Sequence, residues 1–306
     1  MKYKKLAISA LLLVQMFYGV TFTFANEVID GGYILPFGFI ILRVFFSGIL
    51  FWLFGSIIKT RKIDGKDFPK LITAALFGVA LNMLAFFKGL QFTTPINASV
   101  IMITVPIIVL ILSSIILSEK ITTIKVMGIA FGIIGALILT INGQQNNSGE
   151  NIILGNSLIF INAVSYSFYL ILIKKLTAKY HPLDFMKWLF LFGSIMVLPF
   201  GVNELSMVQW NLIPNYIWFY TIFIIVFATF LVHLFNSLAL VVLKASTVST
   251  FLYLQPVFAA LFAVSMGSDK VDSIKFISAV LIFIGVYLVT KNNTFDHRGL
   301  QNNQKR

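Results

Sequence analysis

Arg43, Lys88 and His233 lie inside long apolar stretches of this sequence, where a charge is expensive to keep. Arg43 lies about seven residues into its stretch, so its guanidinium either extends to the polar boundary or binds a carboxylate through two parallel hydrogen bonds. Lys88 lies near the end of its stretch, which favours extension to the boundary, with ligand binding as the alternative. Histidine has an unperturbed pKa near neutral pH, so His233 either carries a proton, contacts a ligand or hydrogen-bonds a neighbouring helix.

Polar and aromatic residues at helical spacing form stripes on two otherwise apolar segments. The first stripe, at i, i+3, i+4 and i+7, is Asn162, Ser165, Tyr166 and Tyr169. The second, at i, i+3 and i+7, is Gln15, Tyr18 and Phe22. Weaker candidates of the same kind are Asn82, Asn236, Tyr253 and Gln255. Aromatic walls with hydroxyl and amide tips suit a small amphipathic ligand, and hydrogen bonding between helices is the alternative interpretation.

The chemistry that the sequence lacks excludes several classes of protein. There is no cysteine, so thiol and disulfide chemistry are excluded. His233 is embedded without an acidic partner, no acid lies in the middle of an apolar stretch, and no ATP-binding motif is present. We therefore expect no enzymatic activity, no metal and no cofactor. The missing acids also argue against exchange of protons for cationic drugs.

The composition predicts a membrane protein. Hydrophobic residues make up 58% of the 306 residues and charged residues 11%, against about a quarter charged in soluble domains. The +12 net charge lies in short loops, which indicates membrane orientation and not nucleic-acid binding. Ten apolar runs are each long enough to span a bilayer, at approximately 6–25, 34–58, 71–91, 95–117, 122–141, 152–173, 184–202, 215–240, 245–267 and 272–290.

The stretch 90–140 recurs without gaps at 240–290, each position 150 residues later. The polar and special residues that correspond are Ser99 and Ser249, Pro106 and Pro256, Ser118 and Ser268, Glu119 and Asp269, Lys120 and Lys270, Lys125 and Lys275, Gly135 and Gly285, and Thr140 and Thr290. The two prolines each interrupt a span at the same place, as a hinge or kink facing a site or as a simple packing kink. Glu119 and Asp269 are interpreted as boundary or gate residues.

Most Lys and Arg residues fall on one side if the N-terminus is cytoplasmic, so we expect both termini in the cytoplasm. Five spans per half then place the second half upside down relative to the first. We predict an all-α fold of two inverted five-helix repeats. Its parts are 1–141 (first repeat), 142–151 (outer connecting loop), 152–290 (second, inverted repeat) and 291–306 (disordered cytoplasmic tail).

The segment Gly89–Ser99 followed by Pro106 and Ser118-Glu119-Lys120, and its second copy from Leu238 through Pro256 to Gly285, resemble the two signatures of a known family. This is the family of ten-span EamA-type permeases of the drug/metabolite transporter superfamily. Arg43 and Tyr18-Gly19 also resemble family positions, although tryptophan is usual at residue 18 and glutamate at residue 269. The resemblance covers Leu6 to Thr290, and it implies transport of small metabolites, often export.

We therefore expect a secondary transporter that exports small metabolites by alternating access around a midplane cavity between the repeats. Amino-acid-like or other neutral, zwitterionic or anionic compounds are favoured, because the embedded charges are positive. The alternative is a nucleotide-sugar or drug carrier of the same fold, and a membrane scaffold is a remote one. The expected location is the bacterial inner membrane. Gly128, Gly132 and Gly135 serve either close packing within the chain or a homodimer seam.

Overall fold

The computed structural model describes residues 2–29, 31–57, 62–93, 98, 101–142, 151–265 and 273–291, and these residues form helices and loops without a β-strand. The first five helices are α1 (Lys2–Ile29), α2 (Pro36–Ile57), α3 (Gly65–Leu90), α4 (Val105–Leu117) and α5 (Thr123–Asn142). The second five are α6 (Ile152–Thr177), α7 (Pro182–Ser206), α8 (Asn215–Val242), α9 (245–265) and α10 (Ser273–Lys291). Eight are long and apolar enough to cross a membrane, and α4 and α5 are shorter apolar helices. The predicted all-helical membrane fold is confirmed.

Several helices extend beyond the apolar runs that predicted them. Helix α1 begins at Lys2, and α6 continues through Lys174 and Lys175 to Thr177. Lysine is a good helix former, so a helix need not end where its apolar segment ends. Hydropathy therefore located the membrane-embedded part of each helix and underestimated its length.

The packing of α2 on α7 shows that the two halves are inverted. These helices occupy the second position of each half and run antiparallel: Gly38 lies beside Glu204, Gly48 beside Phe190 and Gly55 beside Lys187. Equivalent helices on a two-fold axis would run parallel if both halves had the same orientation. The predicted inversion is therefore confirmed.

The fifth helices of the two halves, α5 and α10, pack in the same antiparallel way. Gly128 lies against Gly285 and Val289, and Gly135 lies against Ser278. A Cβ at Gly128 would overlap the carbonyl oxygen of Gly285, so the small residues permit close approach of the two backbones. These glycines are thus used inside the chain, and a homodimer seam remains a prediction.

The remaining helix contacts obey the same two-fold relation. Helix α3 packs on α6 as α8 packs on α1, and α4 packs on α6 as α9 packs on α1. The first helix of each half therefore inserts between the third and fourth helices of the other half. The centre of the bundle is built from both halves.

A π-helical turn interrupts α3 and α8 at corresponding places. It covers Leu76–Ala80 in the first half, called the first bulge below, and Val226–Leu231 in the second half, called the second bulge. Their starting residues are 150 positions apart, so the repeat extends upstream of the segment recognised in the sequence. A π-turn frees backbone groups from the regular helical ladder, and such turns are frequent at functional sites.

The two repeat prolines each start a helical segment directly after an irregular turn. Pro106 is in the first turn of α4, and Pro256 follows the 3-10 turn Phe251–Leu254 within α9. Proline is tolerated there because the first turn of a helix needs no N–H donor. Both prolines therefore mark a break in their helix, and their role as hinges remains a prediction.

The start of α1 and the end of α10 lie together, where Lys4 Nζ donates to the carbonyl oxygen of Thr290 at 2.9 Å. We call this end of the bundle the terminal face and the other end the opposite face. The main apolar core lies between the halves, and a smaller one, around Phe24, Phe39 and Ile217, lies towards the opposite face. Asp269, the segment 143–150 of the predicted connecting loop and the predicted tail beyond Lys291 lie outside the described residues.

Candidate functional site

The guanidinium of Arg43 is buried in the centre of the bundle, on α2. Its Nε donates to Thr229 Oγ1 of the second bulge at 3.1 Å, and the Phe39 ring lies 5.9 Å away. Within the part of the chain that the structure describes, Arg43 has no other hydrogen bond and no carboxylate at ion-pair distance. Among the described residues, the charge and the terminal N–H donors of buried Arg43 therefore have no protein partner, which disfavours burial unless a ligand supplies one.

His233 lies one turn beyond Thr229 on α8 and is also buried. Its Nδ1 lies 2.7 Å from the carbonyl oxygen of Thr229. A carbonyl can only accept, so Nδ1 carries the proton and Nε2 has the free lone pair. The imidazole packs against the edges of Phe190 and Tyr169, with ring centroids 5.1 Å and 6.1 Å away. Among the described residues, Nε2 has no hydrogen-bond partner.

Three tyrosines complete this cluster. Tyr166 and Tyr169 lie on consecutive turns of α6 with ring centroids 5.9 Å apart. Tyr18, from α1, lies within electrostatic range of both tyrosines and of Arg43. We call the group of Tyr18, Arg43, Tyr166, Tyr169, Thr229 and His233 the central site. It combines four helices from both halves.

The ring of Tyr169 fits against the first bulge at Gly78, where a Cβ would overlap the ring carbons. Ser165 Oγ donates to the carbonyl oxygen of Phe77 in the same bulge at 2.7 Å. At the second bulge, one donor comes from another helix and one from the bulge itself. Ser47 Oγ of α2 donates to the Ile225 carbonyl at 3.0 Å, and Thr229 Oγ1 donates to that of Ile224 at 2.8 Å. Side chains thus satisfy the backbone that both π-turns leave open.

Several buried polar atoms have no partner within the described part of the chain. Gln15 Oε1, Asn162 Oδ1 and Tyr253 Oη lack a hydrogen-bond partner there, as do the hydroxyls of Thr221 and Thr247. Asn162 Nδ2 donates to the backbone carbonyl of Asn82 at 2.7 Å, which joins α6 to α3. A buried amide or hydroxyl without a partner is costly, so such atoms are places where a water or a ligand group is expected.

The other predicted candidates are distributed around this cluster. Asn236 is buried one turn beyond His233, and Gln255 is half-buried at the break in α9. Lys88 is exposed near the end of α3, where it donates to Gln91 Oε1 at 3.0 Å and lies over the Phe92 ring. Lys88 is thus outside the central site, and its contacts match the boundary interpretation. The side chain of Phe22 lies outside the described residues.

Thr229 is the central residue that sequence reasoning missed. A single threonine in an apolar helix carries no periodic signal, and the bulge that aims it at Arg43 is set by contacts between helices. The available signal was the 150-residue repeat. A bulge found in the first half predicts a second bulge 150 residues later, which is the bulge that contains Thr229.

A buried ion pair of the first half makes hydrogen bonds to the second half at the terminal face. Lys125 Nζ lies 3.3 Å from Glu119 Oε2 and donates to Ser246 Oγ at 2.8 Å. Glu119 Oε1 accepts from the backbone N–H of Ala245 at 2.9 Å, at the first turn of α9. Glu119, predicted as a boundary or gate residue, therefore connects the end of α4 to α9 of the other half.

A second polar network at the terminal face joins the start of α3 to the loop between α6 and α7. Asp67 accepts from Lys70, Lys179 and Tyr180, and Lys179 also pairs with Asp64. These donors hold the pKa of the Asp67 carboxyl well below its usual value, with Lys179 as the main cause. The same pairing raises the pKa of Lys179, through Asp64 first and then Asp67.

Comparisons with known proteins agree with this architecture. The profile of the EamA-like transporter family matches residues 5–141 and again 153–291. An uncharacterized transporter of Archaeoglobus fulgidus is 28% identical over 283 residues, covering 92% of this chain and 97% of the relative. The transporter YyaM of Bacillus subtilis is 26% identical over 280 residues, 90% of each chain. A protein of known crystal structure has the same fold, with a TM-score of 0.75 at 15% identity over 95% of this chain and 96% of its own.

Proposed function

This chain belongs to the EamA-like transporter family, and we propose that it carries small carboxylate-bearing metabolites across the membrane with Arg43 as their anchor. The observation that carries the proposal is a buried guanidinium whose one protein hydrogen bond, among the described residues, goes to Thr229. A carboxylate supplies both the missing charge and acceptors for the terminal N–H groups.

Charge selectivity follows from what surrounds Arg43. The described acidic residues, such as Asp67, Glu119 and Glu204, lie in loops or near helix ends, away from the central site. A cationic ligand would meet Arg43 without a counter-charge in a medium of low dielectric constant, where repulsion is strong. Zwitterions and organic anions are therefore preferred over cations.

The aromatic side chains determine the shape of the preferred ligand. Tyr18 lies near the guanidinium, and Tyr166 and Tyr169 lie near Tyr18 with their ring centroids 5.9 Å apart. This combination binds a small molecule that has one carboxylate and an apolar or aromatic body. Amino-acid-like compounds and 2-hydroxy or 2-keto acids of similar size fit this description.

The inverted architecture supports a proposed mechanism of alternating access. The central site is formed by both halves, so a change in their relation exposes it to one side or the other. Export is the proposed direction, as the family resemblance implies. Reduced accumulation of labelled substrate in cells that express the protein would test direction separately from binding.

The test is counterflow in proteoliposomes with three compounds that share one phenyl ring: phenylalanine, phenyllactate and phenethylamine. Phenyllactate and phenylalanine should exchange and phenethylamine should not. Arg43→Ala should reduce exchange about 100-fold, as expected when a buried charge pair loses one partner. Lys88→Ala is the matched control, because it removes an exposed cation, and it should exchange at the wild-type rate.

Exchange of phenethylamine that does not depend on Arg43 would contradict the proposal. UDP-glucose is included in the panel as a probe for the alternative, a nucleotide-sugar carrier. Exchange of UDP-glucose without exchange of the carboxylates would establish that alternative. Thermal unfolding of each purified variant shows whether a loss of exchange reflects a loss of folded protein.

A further inference from the structure

We propose that the central site takes up a proton on His233 Nε2 together with the substrate carboxylate, so that the protein is a carboxylate–proton symporter in which the outward gradient of the substrate drives export of both. This inference rests on the proposed function, because it assumes a carboxylate at Arg43. It adds the coupling ion and the residue that carries it.

The geometry joins the two groups through one residue. Thr229 accepts from Arg43 at its side-chain oxygen and from His233 at its backbone carbonyl. The guanidinium and the imidazole are therefore held around the same turn of the second bulge. A ligand that reaches the terminal N–H groups of Arg43 enters the immediate surroundings of His233.

The imidazole is arranged to accept a proton at one defined nitrogen. Its Nδ1–H is already committed to the Thr229 carbonyl, so protonation occurs at Nε2. His233 itself keeps 6% of its surface exposed, and Arg43 keeps 8%. Both side chains are therefore nearly enclosed, and among the described residues Nε2 of His233 and the terminal nitrogens of Arg43 have no hydrogen-bond partner.

The charged and titratable groups around His233 make its protonation depend on the ligand. Arg43 from α2 and Tyr169 from α6 lie beside His233, and Tyr18 from α1 and Tyr166 from α6 lie near Tyr169. Helix α7 contributes the apolar Phe190, and the first segment of α9, Ala245–Thr250, holds no titratable side chain. Arg43 is the one permanent charge in this set. In the empty site it repels a second positive charge, and a bound carboxylate cancels that repulsion.

The charge of the site supports the same conclusion. The empty site carries the single positive charge of Arg43. A bound carboxylate reduces the net charge to zero, and a proton on His233 restores it to one. Carboxylate plus proton therefore leaves the moving site with an unchanged charge, and the pair crosses the membrane without net charge transfer.

Linkage makes this testable by binding alone. If the carboxylate strengthens proton binding, the proton strengthens carboxylate binding by the same factor. Affinity should then weaken as pH rises, by about tenfold per unit where one proton is taken up with each ligand.

The experiment is calorimetric titration of the purified full-length protein with phenyllactate at pH 7, in two buffers with different ionisation enthalpies. The difference between the observed heats gives the number of protons taken up per ligand bound, which we expect to be close to one. His233→Gln keeps an N–H donor for the Thr229 carbonyl and should still bind, with proton uptake close to zero and an affinity independent of pH. His181→Gln, a substitution in the loop before α7, is the matched control and should behave as wild type.

Each outcome is decisive. Binding without proton uptake overturns the symport inference and leaves the proposed function intact. Proton uptake that persists in His233→Gln places the carrier elsewhere and overturns the assignment. Absence of phenyllactate and phenylalanine binding to the folded wild-type protein rejects the proposed function, and the inference with it.

Discussion

Two buried cations of this protein have opposite surroundings. Lys125, near the terminal face, has a counter-charge in Glu119 and a second hydrogen-bond partner in the hydroxyl of Ser246. Arg43, in the central site, has one neutral partner, Thr229, among the described residues. Burial is similar for both, so the difference is whether the protein itself supplies the counter-charge.

The difference separates a structural role from a binding role. Glu119 and Lys125 neutralise each other, so the pair holds α4 and α5 to α9 and needs no charged ligand. A cation left without a counter-charge destabilises the empty protein and can be stabilised by an anion. The comparison therefore predicts opposite stability effects when the two sites are neutralised.

The largest effect is expected when the paired site is broken. Glu119→Ala removes the counter-charge of buried Lys125 and the acceptor for the Ala245 N–H, and it should destabilise the protein by about 3–5 kcal/mol. Thermal unfolding in detergent, followed by tryptophan fluorescence, measures this loss. The double substitution Glu119→Leu with Lys125→Leu should recover most of the stability, because no unpaired charge remains. An unaltered unfolding midpoint in Glu119→Ala would show that the pair is not structural.

Neutralising the unpaired site should have the opposite sign. Arg43→Met removes a buried charge, and Thr229 keeps its hydrogen bond to the Ile224 carbonyl, so stability should be unchanged or should rise by about 1–3 kcal/mol. Phenyllactate should raise the unfolding temperature of the wild-type protein and not that of Arg43→Met, since stabilisation by a ligand requires binding. A clear destabilisation by Arg43→Met would place Arg43 with Lys125 as a structural cation.

The two bulges allow a similar comparison between a hydroxyl that binds Arg43 and a hydroxyl that only satisfies the backbone. Thr229→Val removes the acceptor of Arg43 Nε at nearly constant shape, and we expect exchange of phenyllactate to fall about tenfold. Ser165→Ala removes the donor to the Phe77 carbonyl of the first bulge and should destabilise the protein by about 1 kcal/mol, with exchange close to wild type. Counterflow and thermal unfolding on the same preparations separate these effects. Equal losses of exchange would mean that both bulges serve the site.

Much of this arrangement can be predicted from the sequence, because composition, run length and charge asymmetry are properties of the whole chain. Composition and run length are sufficient for ten spans, and the charge asymmetry with an odd number of spans leads to inversion. Helical spacing also places Tyr166 and Tyr169 on one face, and burial cost singles out Arg43 and His233, which the structure brings together with Tyr18.

The remainder depends on contacts that no local pattern encodes. The π-turns arise where distant hydroxyls, such as Ser165 and Ser47, satisfy freed carbonyls, so neither bulge is visible in the local sequence. Glu119 was recognisable as a repeat residue, but its partners Ala245 and Ser246 lie in the other half. Lys88 was ambiguous because hydropathy cannot determine on which side of the boundary a terminal lysine lies.

The smallest expected effect concerns pH and distinguishes the halves at their loops. Asp67 lies in the first turn of α3 and has its pKa lowered, first by Lys179 and then by Lys70 and Tyr180. A lowered pKa means that the folded state prefers the ionised carboxyl, so this stabilisation is fully present above the ordinary Asp pKa of about 4 and is lost as pH falls from there through the lowered pKa. The corresponding position in the first turn of α8 is Ile217, which cannot titrate. Lys179 is largely solvent-exposed, so the effect should be modest. Asp67→Asn should therefore unfold at a lower temperature than wild type at pH 7, and the difference between the two unfolding temperatures should shrink progressively as pH falls below 4. A difference that does not shrink between pH 7 and pH 3 would show that Asp67 acts through packing or neutral hydrogen bonds, and the starts of α3 and α8 would then differ in shape and not in charge.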